Sequence, residues 1–222
     1  MREQRAFWES GGIYRPSDHP VVELFARQRV GFLTATGVLD GIRSVLDVGA
    51  GTGFSSAYYP AGLRVVACDY AAGMLDHNPV DERVRCSACA LPFASRQFDA
   101  VACWELLHHL DDPVAALREM SRVARRRVIL FEPNRINPGH IYLGLTRDEE
   151  RHSLRFSPRH LRRLARAAGA SVVRHVRCGL LFPNITPLPL ARVLVRMPFR
   201  VPLIGISQLM VLEPAGRPRA VQ

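Results

Sequence analysis

A chain of 222 residues with 48% apolar residues is long enough to bury the core of one α/β domain and too apolar to be a disordered chain. It contains no lysine, so its 30 basic residues are all arginine; residues 1–111 carry 10 Arg against 13 acids, and residues 112–222 carry 20 Arg against 7 acids. Five cysteines, an odd number, argue against a disulfide framework, residues 1–10 lack a signal-peptide core, and the most apolar stretch is broken by Pro and Arg, so a reduced, cytoplasmic protein with no transmembrane helix is expected.

Residues 1–20 mix Phe7, Trp8 and Tyr14 with Gly11, Gly12 and Pro16, which predicts a lid or a stapled terminus in place of a long helix. From 21 to 36, Val22, Leu24, Phe25, Val30 and Leu33 recur at helical spacing, with Arg27, Gln28 and Arg29 on another side. Residues 1–40 therefore read as lid and helix, 41–214 as the main domain and 215–222 as a flexible tail. The run 45–48 is a buried strand that stops at Gly49, Gly51 and Gly53. A helix is expected at 54–61, so that its N-terminus and the loop N–H groups face a ligand.

Strand 63–68 ends at Asp69 and leads to a helix at 71–76, followed by strands at 83–87 and 98–103 and a turn at 104–112. Asp112 and Pro113 start a helix with Val114, Leu117, Met120 and Ala124 on its apolar side and the arginine run 125–127 in its last turn. Strand 128–132 leads into a long loop containing Asn137-Pro138-Gly139. Ser157 and Pro158 start an amphipathic helix that Gly169 closes, and 172–178 and 207–212 are the last strands, with an apolar, proline-punctuated insertion at about 180–206 between them. The pattern predicts an α/β fold, a doubly wound, seven-stranded, mostly parallel sheet with the last strand antiparallel.

Ligands of such sheets lie beyond the carboxyl ends of the strands, which gathers 49–53, Asp69, 87–91, 103–109 and 132–134 at one crevice. The dinucleotide fingerprint GxGxxG fails at Phe54, and Asp47 is a poor neighbour for a pyrophosphate. Carboxylates at Asp47 and Asp69 suit a nucleoside with a cationic tail. Cys86 and Cys89 form a lone CxxC with no second pair, and no metal is expected.

These residues resemble the class I S-adenosylmethionine-dependent methyltransferases, specifically the small-molecule methyltransferase 11-like group. The resemblance rests on LDVGAGTG at 46–53, Asp69, ALPF at 90–93, FDAV at 98–101, LLHHLDDP at 106–113 and ILFEPN at 129–134. It implies a Rossmann-like methyltransferase fold with S-adenosyl-L-methionine as cofactor. Gly49, Gly51 and Gly53 would receive the methionine part, Asp47 its amino group and Asp69 the ribose. Tyr70 and Met74 would flank the adenine, Ser87-Ala88 stands where the family carries Asp-Ala, and Trp104 joins the cofactor set.

For the acceptor, His109 is the expected base and His108 the second candidate, with Glu105, Glu132, Asn134, Tyr14 and His19 as further contacts. Cys103-Trp104-Glu105-Leu106 lacks the prolines of enzymes acting on DNA-base amines, so nucleic acid is not expected. The 180–206 insertion, with Arg192, Arg196 and Arg200, is expected to roof an apolar substrate or form a homodimer contact, and peripheral membrane contact is open. The expected reaction is O-methylation of a small hydrophobic metabolite; the alternatives are C-methylation of a quinone- or polyketide-like ring, and cofactor binding without methyl transfer.

Overall fold

The computed structural model describes residues 15–214, so Phe7, Trp8, Tyr14 and the tail 215–222 lie outside the described residues. Seven strands form one sheet in the order β3-β2-β1-β4-β5-β7-β6, with β1 Ser44–Val48, β2 Arg64–Asp69, β3 Arg83–Arg85, β4 Phe98–Trp104, β5 Ala124–Pro133, β6 Ser171–Cys178 and β7 Ser207–Glu213. Pairing is parallel from β3 through β5, and β7 runs antiparallel between β5 and β6. The expected doubly wound sheet with a reversed last strand is what forms.

Strand alternation sorts the core into two layers, because successive side chains point to opposite faces. Val45, Ala100, Ile129 and Leu209 join one cluster with Phe25 and Leu33 of α1 (Pro20–Ala35). Leu46, Val101, Leu130 and Met210 join the other, under two further helices. These are α3 (Pro113–Val123), which follows the short α2 (Ala72–Leu75), and α5 (Pro158–Ala167), which follows α4 (Pro138–Thr146); α6 (Leu188–Leu194) packs with α1 through Ala191.

Three local expectations are corrected. The helix at 54–61 is only a 3-10 turn, Ser56–Tyr58. Ser55 and Ser56 commit their hydroxyls to Asp47, and Pro60 cannot continue a helix. The arginine run 125–127 lies at the start of β5, not in the last turn of α3. There Arg125 pairs with Asp99 at 2.9 Å and Arg127 with Glu213 at 3.0 Å, so neighbouring strands take up these charges. The loop after Asn137 is helical: Asn137 Oδ1 caps α4 by accepting from Gly139 N at 2.8 Å, and Pro138 occupies the first position.

Candidate active site

β1 delivers the chain to the glycine loop, and Asp69 at the end of β2 anchors it. Asp69 Oδ2 accepts from Gly51 N and Oδ1 from Ala71 N, both at 2.8 Å, so one carboxylate ties two strand-end loops together. Burial raises its pKa, and these backbone donors pull it back down. Gly49 has φ +72°, and a Cβ on it would lie 2.7 Å from Leu106 Cδ1, so only glycine lets the loop pack against the turn that carries Leu106. Gly49 and Gly51 line a cavity with the Asp69 carboxylate beside them, an arrangement that fits a nucleoside carrying an amino-acid tail.

Behind the loop, Asp47 is fully buried and accepts from Ser55 Oγ at 2.5 Å and Ser56 Oγ at 2.6 Å. Burial raises its pKa to about 6 despite both hydroxyls. Asn78 Nδ2 supports the same turn from below by donating to Gly51 O at 3.1 Å. Gly53 has φ +95°, and a Cβ there would stand 2.6 Å from Pro79 Cδ. Gly53→Ala is therefore expected to lower stability by about 1–3 kcal/mol, a drop of several degrees in the unfolding midpoint by scanning fluorimetry; an unchanged midpoint would show that the loop relaxes freely.

A cavity of about 690 Å³ opens from this loop. Gly49, Gly51, Asp69, Tyr70, Met74, Ser87, Ala88 and Trp104 all line it, as do Glu105, His108 and His109. Asp47 and Gly53, expected in contact with the cofactor, are not in the lining and serve the loop from behind. Tyr14 is outside the described residues, and His19 caps α1 by accepting from Val21 N at 3.1 Å. The cavity is also lined by Leu143 of α4, by Arg147 just beyond it, and by Phe182 and Ile185 of the 180–206 segment.

The most ordered chemistry is at the far end of β4. His108 Nδ1 lies 2.9 Å from Glu132 Oε2, both side chains almost fully buried. Glu132 Oε1 accepts from Leu107 N at 2.8 Å and Leu106 N at 3.2 Å, which fixes the carboxylate plane. Burial raises Glu132 to about 8 and lowers His108 to about 3, so each resists its charged form. Once the pair holds a single proton on Nδ1, Nε2 is left as a base on the opposite edge of a ring that lines the cavity; Glu150 Oε2 stands 3.8 Å from it. The carboxylate-held imidazole is thus His108, whereas the sequence pointed first to His109, whose ring packs on it at 3.8 Å between centroids. Asn134 faces away, donating to Gly205 O at 2.7 Å.

Residues 46–131, β1 through β5, match the family described as Methyltransferase domain. This segment of the chain carries the signature of a methyltransferase domain. It is 46% identical over 96 residues to the demethylmenaquinone methyltransferase of Renibacterium salmoninarum, a match covering 41% of this chain and 40% of that protein. The match thus spans about two-fifths of each relative's length.

Among solved structures, an S-adenosylmethionine-dependent methyltransferase from Thermotoga maritima superposes with TM-score 0.66 at 19% identity, covering 88% of both chains. Magnesium protoporphyrin IX methyltransferase from Synechocystis PCC 6803 with bound S-adenosylhomocysteine superposes with TM-score 0.54 at 18% identity, covering 86% of this chain and 82% of that one. This chain's glycine loop, with the Asp69 carboxylate beside it, fits S-adenosyl-L-methionine as cofactor. Its strand-end residues were legible as motifs, but Asn78, Arg29 and Glu150 were not: each works through contacts distant in sequence, and no local pattern marks them.

Proposed function

We propose that this methyltransferase methylates a ring carbon of a small, apolar, hydroxylated acceptor of the hydroquinone type. The supporting observation is that one cavity joins the glycine loop and Asp69 to the His108–Glu132 pair beneath an apolar roof of Leu143, Phe182 and Ile185. The cofactor, when bound, supplies a methyl group on a positively charged sulfur. His108 Nε2 takes the proton of an acceptor hydroxyl, with Glu132 holding the ring at Nδ1. Loss of that proton raises electron density on the oxygen and on the ring carbons beside it, so the same base serves transfer to either atom. The site gives no preference for oxygen, the acceptor atom expected from sequence. The name shared by the relatives, demethylmenaquinone methyltransferase, favours carbon.

The apolar roof keeps water away from the acceptor and holds its ring against the loop, which is where alignment for an in-line displacement gains most of its rate. The test uses S-adenosylmethionine with a deuterated methyl group and two acceptors, a short-chain demethylmenaquinol kept reduced and a simple naphthol. Fragment masses should place the label on a ring carbon of the first. Label on oxygen would restore the O-methylation reading, and no label on any acceptor with intact cofactor would overturn methyl transfer here.

A further inference from the structure

Glu105 follows β4 directly and is one of two non-glycine described residues with positive φ, at +55°. A left-handed backbone at such a residue costs on the order of 1–3 kcal/mol and persists where surrounding contacts enforce it. Here Glu105 N donates to Phe131 O at 2.7 Å, and the side chain turns into the wall of the cavity. Glycine or asparagine would occupy this conformation with less strain. The carboxylate is what such a substitution would remove.

One carboxylate oxygen is held from behind. Ser207 Oγ donates to Glu105 Oε1 at 2.8 Å, and Arg29 Nη2 donates to the same Ser207 Oγ at 2.7 Å while standing 3.8 Å from Oε1. Since the serine hydroxyl accepts from the guanidinium, its own hydrogen points at Glu105. Arg29 was expected on another side of α1 from its apolar residues, yet it is 1% exposed, with its guanidinium 3.5 Å from the Phe25 ring centroid and 5.2 Å from that of Phe131. A fully buried cation is costly unless paired, and its pairing is with this serine and carboxylate. Burial lowers Arg29 to about 10 and raises Glu105 to about 8, with Arg29 and Ser207 drawing Glu105 back toward its ionised form. Oε2 has no hydrogen-bond partner among the described residues, and 31% of the side chain is open.

We propose that Glu105 is the second polar anchor for the acceptor, with Oε2 receiving a hydrogen bond from an O–H or N–H remote from the one that meets His108, and with Arg29 and Ser207 as positioning residues. The site then selects molecules with two polar hydrogens on one ring system, as in a dihydroxyarene, over those with one. This rests on the proposed function, since it assumes that the acceptor occupies the cavity wall shared by Glu105 and His108.

The experiment is anaerobic titration calorimetry, at a pH above about 8 where the Glu105 carboxyl is ionised, of the S-adenosylhomocysteine-loaded protein with 1,4-dihydroxynaphthalene and with 1-naphthol. Wild type should bind the diol at least tenfold more tightly. Glu105→Gln keeps the shape and the acceptor for Ser207 but turns an N–H₂ toward the cavity; it should lose that preference while naphthol and S-adenosylhomocysteine affinities hold. Arg29→Met should weaken the preference in the same direction, and Arg29→Lys should restore part of it. Equal binding of the two probes by wild type, or an undiminished preference in Glu105→Gln, would overturn the proposal. Because no turnover is read, a Glu105-dependent preference in a protein that transfers no methyl group would count against the proposed reaction alone.

Discussion

Asp69→Ala should weaken S-adenosylhomocysteine binding by about 30- to 1,000-fold, read by calorimetry. The residue does two jobs at once. Its oxygens each accept a main-chain N–H, from Gly51 and from Ala71, and the same carboxylate forms part of the cavity wall where a ribose is expected. Removing it orphans both N–H groups at about 1–3 kcal/mol each and loosens the loop that receives the cofactor. Part of this cost falls on the free protein, which is why the expected loss is set at about 2–4 kcal/mol. Asp69→Asn, which keeps one acceptor oxygen, should fall between. An Asp69→Ala protein with wild-type affinity would overturn the ribose assignment, whatever the acceptor proves to be.

The same region shows what a sequence can and cannot reveal. The glycines at 49, 51 and 53 were legible because three left-handed turns in five residues leave a pattern no strand or helix would carry. Beyond them, the alternation of strands and helices made a mostly parallel, doubly wound sheet legible, while its strand order is seen only in the structure. The missed helix α4 is more instructive. Asn137-Pro138 is the same start signal as Asp112-Pro113, where Asp112 Oδ1 accepts from Ala115 N at 2.9 Å.

The Asn137-Pro138-Gly139 run made this segment read as a loop, and a second glycine, Gly144, lies further along it. In the folded protein both glycines mark close packing: a Cβ on Gly139 would lie 2.8 Å from Phe182 Cζ, and one on Gly144 would lie 2.6 Å from Leu154 Cγ. Gly139 lets the helix approach the insertion, and Gly144 lets it approach the turn that carries Leu154. Helix propensity near glycine costs about 1 kcal/mol per residue, which tertiary packing overrides.

Charge was misread for a related reason. Periodicity assigned Arg29 to the polar side of α1 along with Arg27, and Arg27 does pair on the surface with Glu23 at 2.7 Å. Nothing within one helix tells Arg29 that Ser207 waits 178 positions along the chain. Likewise β4 and β5 run in parallel with Trp104 beside Phe131, which sets Glu132 next to the turn carrying His108. The sequence displays both as strand-end polar residues; only the register makes them a pair. Motifs mark the proposed cofactor side because that part is local. The proposed acceptor side draws on α1, β4, β5, β7 and α4, and no single stretch contains it.

The pairing leads to the second large effect. Glu132→Gln should reduce turnover by about 10²- to 10⁴-fold while leaving S-adenosylhomocysteine affinity near wild type. The amide oxygen can still accept from Leu106 N and Leu107 N, so the turn keeps its shape. The amide N–H₂, however, replaces Oε2 opposite His108 Nδ1. It donates to Nδ1 and forces the ring proton onto Nε2, the atom that would have to accept from the substrate.

The pH dependence carries the same signature. The pair titrates as one unit, and burial raises its carboxyl above the ordinary glutamate value, to about 8. The form with one proton on Nδ1 and a bare Nε2 accumulates as pH rises through that value, so wild-type kcat should climb with pH through about 8 and level only above it. In Glu132→Gln this limb should vanish, because the amide does not titrate and the incompetent tautomer holds at every pH. His108→Ala should match the loss in turnover without adding to it in the double variant. Wild-type turnover in Glu132→Gln, or a pH limb that survives the substitution, would remove the His108–Glu132 pair from the reaction.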